Sequence, residues 1–63
     1  MSALFIIETT NMGATFWLHG TTWSFTRERA DKFATRELAQ IALSRAVQFA
    51  HPRIIKVARI EQV

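Results

Sequence analysis

The chain contains no cysteine, which excludes disulfides and thiolate metal sites as staples for a domain of 63 residues. Stability must then come from packing, near the lower size limit at which a hydrophobic core suffices. No Lys or Arg occurs between Met1 and Phe25, so the first part of the chain offers no cation to a phosphate backbone. No apolar run approaches a membrane span. The N-terminal run Ala3 to Ile7 is too short for a secretory h-region and has no basic residue before it. A cytoplasmic protein without membrane contact is expected. There is no glycine-rich phosphate loop and no G-x-S-x-G elbow, and Ser24 and Ser44 stand outside any catalytic motif. So small a domain has little room for a shielded pocket, so neither enzymatic activity nor a cofactor is expected. There is no internal repeat, low-complexity tract or linker, and residues 1–63 read as one domain.

What is present is mostly apolar. Hydrophobic residues make up 49% of the chain, among them five Phe and two Trp. That is more than one small core can hide, and surplus apolar surface on a small domain often marks an interface, although apolar side chains scattered singly over a surface are ordinary. The formal charge is +3, but the basic residues alternate with Glu28, Asp31, Glu37 and Glu61 instead of forming a run, the pattern of a solvated surface.

The stretch that organises the rest is Thr35 to Ala50, TRELAQIALSRAVQFA. At about 100° per residue its apolar side chains, Leu38, Ala39, Ala42, Leu43, Ala46, Val47, Phe49 and Ala50, share an arc of about 180°. Four alanines lie along the middle of the arc, a profile that lets a helix approach a sheet closely. Thr35 is placed to cap the first turn, with Glu37 near the positive end of the dipole. Pro52 then ends the helix, and Phe49 and Leu43 are expected as keystones of the packing. Ile41 breaks the pattern. It lies in the polar arc between Glu37 and Arg45, where a self-contained monomer favours a polar side chain.

Before the helix, Ala3 to Thr9 reads as a strand that is apolar at both parities, which implies cover on both faces. Thr10 to Gly13 carries a turn signal, with Asn11 and Gly13 able to take positive φ. Ala14 to Leu18 returns as a second strand, with Ala14, Phe16 and Leu18 on one face and Trp17 on the other. After a His19-Gly20 turn, Thr21 to Phe25 alternates as a short third strand. Thr26 could cap a helical turn over Arg27 to Lys32, with Phe33 as an anchor. After Pro52, Arg53 to Val63 is β-branched and strand-like, with no parity clean enough to assign an inner face. A parallel pairing there would require a right-handed crossover. The expected architecture is α+β: a small, mostly antiparallel sheet in the order β-β-(β)-α-β with one amphipathic helix on one face.

The residues Trp23, then Ala30-x-x-Phe33-x-Thr35-x-x-x-Ala39 resemble the sheet-to-helix passage of small phage and prophage β-β-α-β proteins of unknown function. They resemble, less closely, a junction in the arm-binding domains of phage tyrosine recombinases. The first resemblance implies a phage-like accessory protein acting on a host component.

Two functional readings follow. In the first the chain is a non-catalytic protein-interaction module, a phage-derived inhibitor or modulator that occludes a surface of a host protein or pairs with itself, with Trp17, Ile41 and Arg45 as contacts. In the second it is a small basic DNA- or RNA-binding protein using Arg27, Arg29, Lys32, Arg53, Lys56 and Arg59, and Trp17 and Trp23 could then stack bases. His19 and His51, both at element ends, are too few for a metal site, and none is expected. Glu8 and Glu61 could neighbour one another across strands, where surface charge explains them better than acid-base chemistry.

Overall fold

The computed structural model describes residues 3–49 and 56–63. Its strands are β1 (Phe5–Asn11), β2 (Ala14–His19), β3 (Thr22–Ser24) and β4 (Arg59–Gln62), and its helix is α1 (Arg36–Ala46). The sheet has the order β3-β2-β1-β4 and every neighbouring pair is antiparallel. Among the described residues the fold is therefore α+β, a four-stranded antiparallel sheet with α1 packed on one face, as expected. Because β4 pairs antiparallel with β1, the handedness rule for parallel crossovers does not apply.

The first hairpin is tighter than the sequence suggests. Asn11 pairs with Ala14, so only two residues close the turn, and both carry positive φ: Met12 at 53° and Gly13 at 81°. This is the left-handed requirement of a two-residue hairpin whose twist matches the strands. Asn11, expected to take that conformation, is the last residue of β1 instead. At the second turn His19 pairs with Thr22, and Gly20 takes φ 63° at the first central position.

Alternation along the strands assigns the faces. Ile7 lies opposite Ile60, and Leu18 opposite Trp23. Ile7, Leu18, Ala39 and Ala46 form the fully buried centre, with Phe5, Trp23, Phe33, Ala42, Leu43 and Ile60 packed around it. The small side chains of Ala39 and Ala46 bring the helix down onto the sheet at that point. Leu18 thus faces the helix and Trp17 faces away, as the strand pattern predicts. The ambiguous last strand also resolves: Ile60 points to the helix, while Arg59 and Glu61 fall on the opposite face.

Why β1 is apolar at both parities is answered by the connection between β3 and α1. Ile6, on the face away from the helix, is only 1% exposed. It shares a cleft with Arg27, Glu28, Lys32 and Val63, so the connection covers it from the far side. The connection is tied down at three points. Asp31 N–H donates to the Leu18 carbonyl at 3.0 Å. The Asp31 carboxylate accepts from Gly20 N–H at 2.7 Å and meets His19 Nδ1 at 3.2 Å. Phe33 exchanges two backbone hydrogen bonds of 2.8 Å with Phe5, taking the place beside β1 that β2 leaves when it turns. The helical turn expected over Arg27 to Lys32 shrinks to one 3-10 turn, Arg27–Arg29, and Thr26 makes no side-chain cap. The rest must stay extended to reach back to Phe5.

The helix starts as expected: Thr35 Oγ1 accepts from Leu38 N–H at 3.1 Å. Its far end differs. The α-helix stops at Ala46 and tightens into a 3-10 turn, Val47–Phe49. With three residues per turn in place of 3.6, the side chains leave the α-helical stripe, and Phe49, expected as a keystone, is 69% exposed. Leu43 does pack against the core. The expected helix end at Ala50, its stop at Pro52 and residues 53–55 of the expected last strand lie outside the described residues. Over residues 56–58 that strand is not formed, Lys56 being helical and Val57 in a turn, and β4 begins at Arg59.

Candidate interaction surfaces

On α1 the face opposite the sheet is polar except along one flank. Leu38 is 49% exposed and Ile41 51%. Arg45 follows Ile41 by four residues, so the two are neighbours on the helix surface. Arg36, on the other flank, reaches β4: its guanidinium lies 5.1 Å from the Phe5 ring centroid and its Nη1 donates to the Ile60 carbonyl at 3.4 Å. One flank is therefore anchored over β1 and β4, and the flank carrying Leu38 and Ile41 is left open. Val47 and Phe49 add further exposed apolar surface at the end of the helix.

The far face of the sheet is built differently. Glu8 pairs with Trp17 on one side and with Arg59 on the other, so three side chains form one row across β2, β1 and β4. Trp17 Nε1–H donates to Glu8 Oε2 at 3.1 Å. The other Glu8 oxygen is ion-paired with Arg59 Nη2, and Arg59 Nε donates to Glu61 Oε1 at 3.0 Å. Trp17 is half-buried with its polar atom satisfied, and Glu8 and Glu61 are bridged by one guanidinium. Such partly exposed pairs contribute about 0–1 kcal/mol each.

These positions separate the expected contacts. Ile41 and Arg45 lie together on the helix, while Trp17 lies on the opposite side of the sheet, so no single flat partner surface can meet all three. The basic residues are also dispersed. Arg27, Arg29 and Lys32 are exposed on the β3-to-α1 connection with Glu28 and Asp31 among them. Lys56 is exposed near β4, Arg59 is engaged by two carboxylates, and Arg53 lies outside the described residues. Trp23 packs against the core with its Nε1 shielded and without a hydrogen-bond partner among the described residues.

The sequence pattern did not single out the β3 edge. Phe25, just beyond β3, is 76% exposed and packs against Phe16 with ring centroids 4.8 Å apart and the rings tilted by 51°. A cleft of about 330 Å³ runs beside the strand between Thr22, Ser24, Thr26 and Arg29. The available signal was the absence of charge from Thr21 to Thr26. Among the described residues no group of three or more His, Cys, Asp or Glu could hold a metal ion, and no helix is long and apolar enough to cross a membrane. His51 lies outside the described residues.

Fold and surfaces together define a small two-layer α+β domain with large apolar side chains displayed on its helix and at one sheet edge. Compared with known proteins, the chain matches no family model, no curated sequence and no solved structure.

Proposed function

We propose that this chain is a non-catalytic protein-interaction module that acts by covering a surface of its partner, with the open flank of α1 as the contact. The observation that carries the reading is Ile41, half exposed in the polar arc of an otherwise well-patterned helix, with Leu38 and Arg45 beside it. Fully burying a large aliphatic side chain contributes about 1.5–3 kcal/mol, so covering the exposed halves of Leu38 and Ile41 would give a partner a compact apolar centre. Arg45 fits the rim, where charged groups steer partners and fix register. The resemblance of the stretch from Trp23 to Ala39 to small phage proteins supports a host protein as the partner and a phage-encoded modulator as the role.

Ile41→Glu tests the reading, because it puts a charge at the centre of the flank without touching the core. Affinity capture from a host lysate should lose its specific prey with Ile41→Glu and keep it with Trp17→Ala, since Trp17 lies on the other side of the sheet. A folded Ile41→Glu protein that retains the same prey would overturn it. Nucleic-acid binding, the second reading, rests on the exposed Arg27, Arg29 and Lys32. Retention on DNA or RNA that falls steeply with added salt would favour it over the first.

A further inference from the structure

We propose that β3 is the seam of a symmetric homodimer, pairing antiparallel with β3 of a second copy so that the two sheets become one of eight strands. This surface is separate from the α1 flank, and the inference stands or falls independently of the function proposed above.

The sheet has two edges, and they differ in chemistry. β4 carries Arg59 and Glu61, the charged side chains with which natural sheets guard an open edge against pairing. β3 has none of these guards. Among the described residues it is bonded to β2 on one side only, and from Thr21 to Thr26 the chain is T-T-W-S-F-T, without charge or proline. On the helix side of the sheet, an aromatic strip of Phe16, Phe25 and Trp23 runs out to this edge and stops there, with Phe25 largely exposed.

A second copy fits this edge because a two-fold contact must be self-complementary. Antiparallel pairing centred on Trp23 sets Trp23 against its symmetry mate, Thr22 against Ser24 of the second copy, and Thr21 against Phe25. The aromatic strips then meet across the seam on the helix side, and hydroxyl side chains meet on the other. Both are favourable kinds of cross-strand pair. No like charges come into register. Arg29 lines the cleft beside the strand. The seam is short, well below the roughly 1,200–2,000 Å² of a standard stable interface, so the dimer is a weak one that forms with rising concentration.

Sedimentation equilibrium reads this directly. From about 10 µM to about 1 mM, a range bracketing weak association, the apparent mass of the wild-type chain should climb from 7.2 kDa toward twice that value. Two double variants then test the register. Thr22→Lys with Ser24→Lys places like charges opposite one another and should remain monomeric. Thr22→Lys with Ser24→Glu places Lys opposite Glu twice and should recover the dimer. Both variants lose the same local bonds, Thr22 Oγ1 to the His19 carbonyl and Ser24 Oγ with Thr26, so any folding penalty is shared. A wild-type chain that stays monomeric throughout overturns the proposal even if neither variant folds. A doubly lysine-substituted chain that associates as the wild type does, or a Lys/Glu chain that stays monomeric while folded, overturns it equally.

Discussion

Met12 sits at φ 53° in a two-residue turn and is 97% exposed. An L-residue with a Cβ held in the left-handed region costs about 1–2 kcal/mol relative to the right-handed one, and asparagine is the side-chain-bearing residue that tolerates it best. Because the Met12 side chain touches almost nothing, replacing it forfeits no packing. Met12→Asn should therefore stabilise the fold by about 1 kcal/mol, which for a domain of this size raises Tm by roughly 4–8 °C. Met12→Ala removes the side chain but keeps the Cβ, and should leave Tm close to that of the parent chain. Gly13→Ala supplies the opposite sign. No atom lies within 4 Å of the added Cβ, so its loss of about 1–2 kcal/mol comes from the backbone alone. Urea unfolding followed by tryptophan fluorescence, with calorimetry as a second probe, measures all three variants. If Met12→Asn melts no higher than Met12→Ala, left-handed strain at this turn is not the governing term and the argument fails.

Two further stability tests separate the core from its margin. Leu18→Ala, at the fully buried centre, should cost about 2–5 kcal/mol out of a total on the order of 3–9 kcal/mol at roughly 0.05–0.15 kcal/mol per residue, and should leave the chain largely unfolded by circular dichroism at 37 °C. Phe49→Ala should change the unfolding free energy by no more than about 0.5 kcal/mol, as surface substitutions do, and an equally large loss at both sites would contradict the exposure of Phe49. Thr35→Ala removes the acceptor for Leu38 N–H and should cost about 1 kcal/mol, read from the same denaturation curves.

Much of the fold was legible because the governing signals are local. The alanine-centred stripe from Ala39 to Ala46, the cap at Thr35, the hairpin around Gly13 and the alternation that turns Trp17 away from Leu18 each follow from residues within a turn or two of one another. The turn itself was legible only to within a residue. Asn11 and Met12 compete for the left-handed position, and the register of Asn11 against Ala14 decides between them. Ile41 was legible as an outlier, and its exposure agrees with its place on the helix. Phe49 was not. Whether a helix continues as α or tightens to 3-10 over its last residues depends on what the end meets, which the periodicity of the stripe does not contain.

The sequence by itself determined the order of the strands and the main helix, how that helix begins, and which face β2 presents to it, because backbone sterics, capping and hydrophobic period act over a few residues. Only the tertiary structure decided that the β3-to-α1 connection covers Ile6, that Arg59 bridges Glu8 and Glu61, and that Ile60 is the inward residue of β4. Each of these rests on partners far apart in the chain, Phe5 with Phe33 or Glu8 with Arg59, whose meeting depends on how the whole sheet is ordered and covered.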